Sequence, residues 1–184
     1  MPRVANDILI GGIRFFIGTG QDKHELGWVA QSEIRLEEQA NSTTIKESEG
    51  GTVLTIATDK EVHLTFSLLE ANFETLKLLN PSYTEIGGTG DTESDGVGIA
   101  SGSFQSGDTY QIEGWHKKRD GTFRCLRIFK GQISGNFAPF ILNPDSESPI
   151  AVDIVGLVDD TRPTGRNIYE YFDCAASKAP GGGW

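Results

Sequence analysis

Long apolar runs are missing from this chain, and no segment approaches the roughly 18 apolar residues a membrane-spanning helix needs. Met1 to Asn6 lead straight into a strand-like run with no apolar signal core. The expectation is a soluble protein made in the cytosol, neither secreted by that route nor membrane-anchored. Cysteine is scarce: Cys125 and Cys174 lie far apart and outside any CxxC pair. Each reads as a small buried thiol rather than half of a disulfide or a metal ligand. Histidine is as thin. His24, His63 and His116 stand alone, without HxxxH or Cys/His spacing, which argues against a zinc site. Cations are outnumbered, 16 Lys and Arg against 26 Asp and Glu, and the formal charge of −10 argues against a nucleic-acid-binding module. At 37% apolar, 184 residues can build one modest core and hardly two. A single domain over 1–184 is expected, with an arm at about 31–58 and a flexible tail at about 177–184.

Catalytic patterns are also absent. The glycines at Gly87-Gly88-Thr89-Gly90 and from Gly98 to Gly107 lack the Lys-Ser/Thr of a phosphate-binding loop and precede no helical pattern. No Gly-x-Ser-x-Gly elbow occurs. Glu37-Glu38 and Asp159-Asp160 are adjacent, so on a strand each pair points to opposite faces and cannot share a substrate. Asp91-Thr92-Glu93-Ser94-Asp95-Gly96 is similar to the opening of a calcium-binding loop, but Gly102 stands where a bidentate Glu is needed. Asn41-Ser42-Thr43 is a glycosylation sequon only in a secreted chain. The reading is a non-enzyme with no catalytic residue, no cofactor and no metal.

What is present is β-structure. Ile8 to Ile10, then Ile13, Phe15 and Ile17, form a strand or strand pair interrupted at Gly11-Gly12. Val62, Leu64, Phe66 and Leu68 alternate cleanly with Glu61, His63, Thr65 and Ser67, the mark of a half-buried strand. His63 therefore falls on the solvent face or against a second layer. A short helix follows over Asn72–Leu79, with Asn72 as cap, Pro81 as stop, and Leu69, Phe73 and Leu76 as its apolar stripe. Residues 82–95 read as a polar loop, and Gly96 to Phe104 as a thin strand. Thr109–His116 and Thr122–Ile133 form a hairpin about Asp120-Gly121. Ile150 to Val158 and Ile168 to Phe172 are further strands. Trp28, Trp115 and Trp184 are scattered, which weighs against an aromatic ligand-binding face.

Two segments suggest contacts with other chains. Gln31 to Thr58 has sparse apolar residues and a Gly50-Gly51 turn. Such a polar hairpin is either a mobile loop or an arm that orders against a neighbour. Glu37, Glu38, Lys46 and Glu47 are its candidate interface residues. The second segment is a charge divide. Leu78 to His116 has no Lys or Arg, and includes Asp91, Glu93 and Asp95. Directly after come Lys117, Lys118, Arg119, Arg124, Arg127 and Lys130, opposed locally by Asp120 alone. This is either a solvated hairpin or a basic surface, led by Lys117, Lys118 and Arg119, that meets an acidic surface on another copy.

The run from Thr58 to Leu79, an alternating strand ending in Glu70 and followed by Asn72-Phe73-Glu74-Thr75-Leu76, resembles the tail tube proteins of tailed bacteriophages. In that family a polar two-stranded arm precedes the strand, as Gln31–Thr58 does here. Ser148 to Asp159, then a turn and Ile168 to Phe172, are similar to the family's last two strands. The resemblance spans residues 31–79 and 148–172, and the middle by strand order. It implies a β-sandwich or barrel with one short flanking helix and a projecting β-hairpin arm. It also implies hexameric rings stacked into a virion tail tube, other tail proteins (tape measure, terminator, distal tail) as partners, and DNA passing down the lumen without specific binding. Type VI secretion tube proteins share that architecture, and a β-sandwich ligand-binding module is the reading from a different class.

Overall fold

A computed structural model describes residues 9–19, 22–27, 29–30, 34–46, 52–69, 72–80, 82–87, 98–101, 109–134 and 149–180. The strands in chain order are β1 (Leu9–Ile17), β2 (His24–Glu25), β3 (Arg35–Lys46), β4 (Thr52–Leu68), β5 (Tyr83–Ile86), β6 (Gly98–Ser101), β7 (Tyr110–Lys118), β8 (Phe123–Ile133), β9 (Ile150–Leu157) and β10 (Tyr169–Cys174). One helix, α1 (Phe73–Leu79), interrupts them, and a 3₁₀ turn at Ala176–Lys178 follows β10. The fold is mainly β, as the strand patterns imply.

Eight strands form one antiparallel sheet in the order β2-β1-β7-β8-β9-β4-β3, with β10 also on β8. One edge of β8 carries β7. The other is shared end to end: β10 takes Phe123 to Ile128, and β9 takes Lys130 to Ile133. Gly131 faces Gly156 at that handover. A Cβ on Gly131 would stand 2.6 Å from Ile112 Cδ1 and 2.9 Å from Ile154 Cγ2, so a bare backbone lets the inner side chains close over this point.

The sheet rolls until its distant strands face each other. Phe15 of β1 and Phe66 of β4 stack with ring centroids 4.3 Å apart and planes 11° from parallel, although β7, β8 and β9 lie between them in the sheet. The chain after β2 closes the roll: Val29 bridges Leu68, and the Ala30 N–H donates to the Ser67 carbonyl at 2.8 Å. The alternation of β4 fills the interior, since Val62, Leu64, Phe66 and Leu68 are all buried with Ile17, Ile128, Val152 and Ile154. A second cluster sits on the opposite face of β1, β7 and β8. There Trp115 packs edge-on against Phe123 and Phe172, with Phe16 and Cys125 beside it. This part of the sheet is covered on both sides.

The helix forms where expected but packs differently. Asn72 Oδ1 accepts the Thr75 N–H at 2.7 Å, and the Asn80 N–H donates to the Leu76 carbonyl. The buried residues are Thr75, Leu76 and Leu79, while Leu69 and Phe73 remain 42% and 46% exposed. Leu69 precedes the cap, so helical spacing does not apply to it, and Phe73 lies about 120° around the helix from Leu79. The expected stripe is corrected to Leu76 and Leu79.

The polar stretch after the helix also needs correcting. Tyr83–Ile86 is a strand, paired with β6 in a separate two-stranded sheet. Four residues of weak alternation inside a Gly, Thr and Asp/Glu run leave too little periodicity to detect. The turn at Asp120-Gly121 is as expected. Gly121 has φ +84°, and Asp120 Oδ1 accepts from the Thr122 N–H and hydroxyl at 2.9 and 2.6 Å.

Candidate assembly surfaces

The β7–β8 hairpin carries the basic cluster, and the roll of the sheet brings acids to it from distant sequence. Arg124 grips Asp173 with two bonds, Nε to Oδ1 at 2.7 Å and Nη2 to Oδ2 at 2.9 Å. Lys118 is buried and donates to the same carboxylate at 3.0 Å. Arg127 meets Glu113 at 2.7 Å and Glu170 at 2.6 Å, and Lys130 lies 3.4 Å from Asp159. These cations are matched within the subunit. The Arg124 and Lys118 hydrogen bonds hold the Asp173 carboxyl well below its ordinary value. Lys117 and Arg119 are exposed at the turn, whereas Lys118 belongs to the interior network.

The acid at the centre of that network has no exposure at all. Glu113 accepts from Lys23 Nζ at 2.6 Å, Trp115 Nε1 at 2.8 Å, Gln111 Nε2 at 2.8 Å and Arg127 Nε at 2.7 Å. Burial pushes its carboxyl up, but the hydrogen bonds from Lys23, Trp115 and Arg127 outweigh burial and leave it below its ordinary value. Beside it Cys125 is a free, buried thiol pushed up to about 12 by desolvation and the Glu113 charge, so it holds its proton at neutral pH. Cys174 is free and half-buried. Among the described residues no three of His, Cys, Asp and Glu converge to hold a metal ion. His63 contacts Asp153 at 3.1 Å, and His24 lies 3.5 Å from Glu74. His116 is buried with its Nε2 unpartnered, and burial lowers its affinity for a proton.

The arm is a direct extension of the sheet. β4 runs 17 residues without a break, and β3 pairs with it over the register from Arg35↔Thr65 to Lys46↔Thr52. Val62 to Leu68 also pair with β9, whereas among the described residues Thr52 to Glu61 have β3 alone as their strand partner. β3 is the terminal strand of the sheet order, and its described side chains from Glu37 to Ser42 are exposed. Glu37 meets Arg35 at 2.9 Å. Glu38 contacts Lys60 at 2.9 Å and accepts a hydrogen bond from the Tyr169 hydroxyl. Lys46 lies at the far end of β3, opposite Thr52.

The described candidate interface residues thus lie on two different elements. Glu37, Glu38 and Lys46 lie on β3, while Lys117, Lys118 and Arg119 lie at the β7–β8 turn. β8, β9 and β4 separate the two strands in the sheet. Glu47, Asp91, Glu93 and Asp95 are outside the described residues. Sequence reading missed the exposed apolar side chains Leu69, Phe73, Leu157, Val158 and Tyr171. Arg124 lies over the Tyr171 ring, 5.5 Å from its centroid.

Two solved structures share features of this fold. One is the sheath–tube complex of an extracellular contractile injection system (PVC) in its extended state, with 10% identity over 93% of this chain and 95% of that chain, and a TM-score of 0.42. The other is the anti-feeding prophage cap, the tube-terminating cap, with 10% identity over 84% of this chain and 94% of that chain, and a TM-score of 0.41. Both overlaps are loose, and neither assigns a role to any residue of this chain. No protein-family model and no curated protein matches the sequence.

Proposed function

We propose that this chain is a structural subunit that assembles with its own copies into stacked hexameric rings, forming the tail tube of a bacteriophage-like particle. The observation that carries the proposal is the arm: a 12-residue terminal strand that runs on past the last β4–β9 pairing, with the described side chains from Glu37 to Ser42 exposed. A long open edge of this kind invites pairing or covering by a partner; Arg35–Lys46 has no proline, and its charges (Arg35, Glu37, Glu38, Lys46) and two register shifts favour a specific partner over indiscriminate edge pairing. The resemblance of residues 31–79 to tail tube proteins supports the ring and tube. The charge of −10 suits a conduit through which DNA slides without phosphate contacts that would arrest it. In this reading the protein performs no chemistry and binds no cofactor. Its other partners are further tail components, and it resides in the virion after synthesis in the host cytoplasm.

Deleting Asn41 to Gly51 tests the arm. The truncated subunit is expected to stay folded, because the core pairs Val62 to Leu68 with β9 are untouched. It is also expected to form no tubes by negative-stain electron microscopy under conditions where the full chain does. Tubes formed at the full-length rate would exclude the arm from assembly.

The exposed cations give an independent test. Lys117→Glu with Arg119→Glu should leave the melting temperature nearly unchanged, as surface substitutions usually fall within about 0.5 kcal/mol. Light scattering should show slower assembly and a weaker dependence on salt over about 0.1–1 M, where the screening length falls from about 10 to 3 Å. Unaltered kinetics would mark the turn as solvated surface.

A further inference from the structure

The strand pair that forms the arm leaves the body at a defined point. Val62 of β4 is fully buried, and its register partner is Glu38. The next residue on the same face of β4 is Lys60, opposite Ala40. Here the inward face of the hairpin changes from apolar to charged, and β9 no longer pairs beside it. Tyr169 reaches this point from β10, where it pairs with Ile128 and packs against the main core. Its hydroxyl donates to Glu38 Oε1, Lys60 Nζ meets Glu38 Oε2 at 2.9 Å, and the same ammonium lies 5.6 Å above the Tyr169 ring. Each member of the trio contacts the other two. A little further out, the β3–β4 register shifts between Asn41 and Ser42.

We infer that Glu38, Lys60 and Tyr169 form a clamp at the root of the arm that fixes the angle at which the hairpin leaves the body. A two-stranded ribbon twists and bends more easily than a wide sheet. Beyond the last pairing with β9, its direction depends on side chains that tie it to other strands. Tyr169 ties it to β10, and through β10 to β8. Glu38 receives both donors at once, so the clamp holds only when strands β3, β4 and β10 are all in place. In the assembly proposed above, a fixed angle presents every arm of a ring in the same direction. The clamp thus deepens that reading, but it acts within one subunit and is measured there.

Spin labels on Ser42→Cys in the arm and Thr164→Cys in the β9–β10 loop, in a Cys174→Ser background, report the angle by double electron–electron resonance. Cys125 is buried and stays unlabelled. Labelled subunits are diluted at least tenfold with unlabelled protein, so the distance is read within one chain in free or assembled material. The wild-type clamp is expected to give one narrow distance distribution. Tyr169→Phe with Lys60→Met should broaden it about twofold or more, and Tyr169→Phe alone, which keeps the ring, should broaden it less. Near-ultraviolet circular dichroism from Trp115 verifies that each variant is folded. A broad distribution in the unmodified clamp, or an unchanged one in the folded double variant, would overturn the inference. Failure of the wild-type chain to form tubes would count against the proposed function and leave this distance result standing.

Discussion

Glu113→Ala is expected to lower the stability of the subunit by about 3–5 kcal/mol, the range found when one member of a buried ion pair is removed. The carboxylate is fully buried and receives four donors from β7, β8 and the segment before β2. Its removal strands Lys23 and the Trp115 indole N–H, while Arg127 keeps Glu170. Urea denaturation at neutral pH measures the loss. The pH dependence has a definite sign. The folded-state carboxyl lies below its ordinary value of 4.5, so its stabilising contribution is complete above that value and fades as the pH falls through and below it. Asp173, Asp159 and Glu38 are lowered in the same direction and share the acid limb. The comparison of wild type with Glu113→Gln isolates one contribution: the variant should be less stable at pH 7, with the difference narrowing toward pH 3. A gap constant from pH 7 to pH 3 would show that Glu113 contributes through packing rather than charge.

Phe66→Ala should cost about 3–5 kcal/mol, through lost burial together with the cavity left in the core. For a chain of this length that is a fall of roughly 10 °C in melting temperature. The site has little freedom to collapse. Phe66 stacks on Phe15, and the Phe15 ring already occupies the space above Gly114, where an added Cβ would lie 2.7 Å from Cε1. Phe66→Leu should recover about half of the loss. A decrease below 1 kcal/mol by denaturant titration would mean that β1 and β4 do not face each other across one core.

What could be read from the sequence was what neighbouring residues decide together. The alternation from Val62 to Leu68 specifies a strand and its buried face. Asn72 specifies the start of a helix, and Asp120-Gly121 a turn. Each is a local preference that the tertiary structure keeps. Tyr83–Ile86 was not legible because among the described residues it pairs with β6 alone, and a short pair gains its identity from that pairing. The helix stripe was misread for a related reason: Leu69 shares the spacing but lies just past the end of β4, before the helix cap.

The candidate surfaces were legible in the same uneven way. The polar composition of Gln31 to Thr58 announces a hairpin with little core of its own, and β3 and β4 form one. The basic run announces charge but not its destination. Asp173 and Glu170 are distant in sequence from Arg124 and Arg127, and only the pairing of β10 with β8 brings them opposite. The root clamp was hidden likewise. Glu38 was noticed as an acid on the arm, whereas its partner Tyr169 arrives from the far end of the chain.

The shared edge of β8 has a consequence for how the chain acquires its structure. The β3–β4 and β7–β8 hairpins can close soon after their residues are available, since each joins neighbouring segments. β1 must wait for β7, β4 for β9, and β10 for a β8 that is already placed. Loop closures of this size are slow relative to hairpin formation. During that interval the arm exists as a ribbon with an open edge while the body beneath it is incomplete. If the chain assembles as proposed, an encounter with another copy can precede the arrival of its own Tyr169. For the assembly proposed above, this sets closure within one molecule, which is independent of concentration, against encounter between two, which is not.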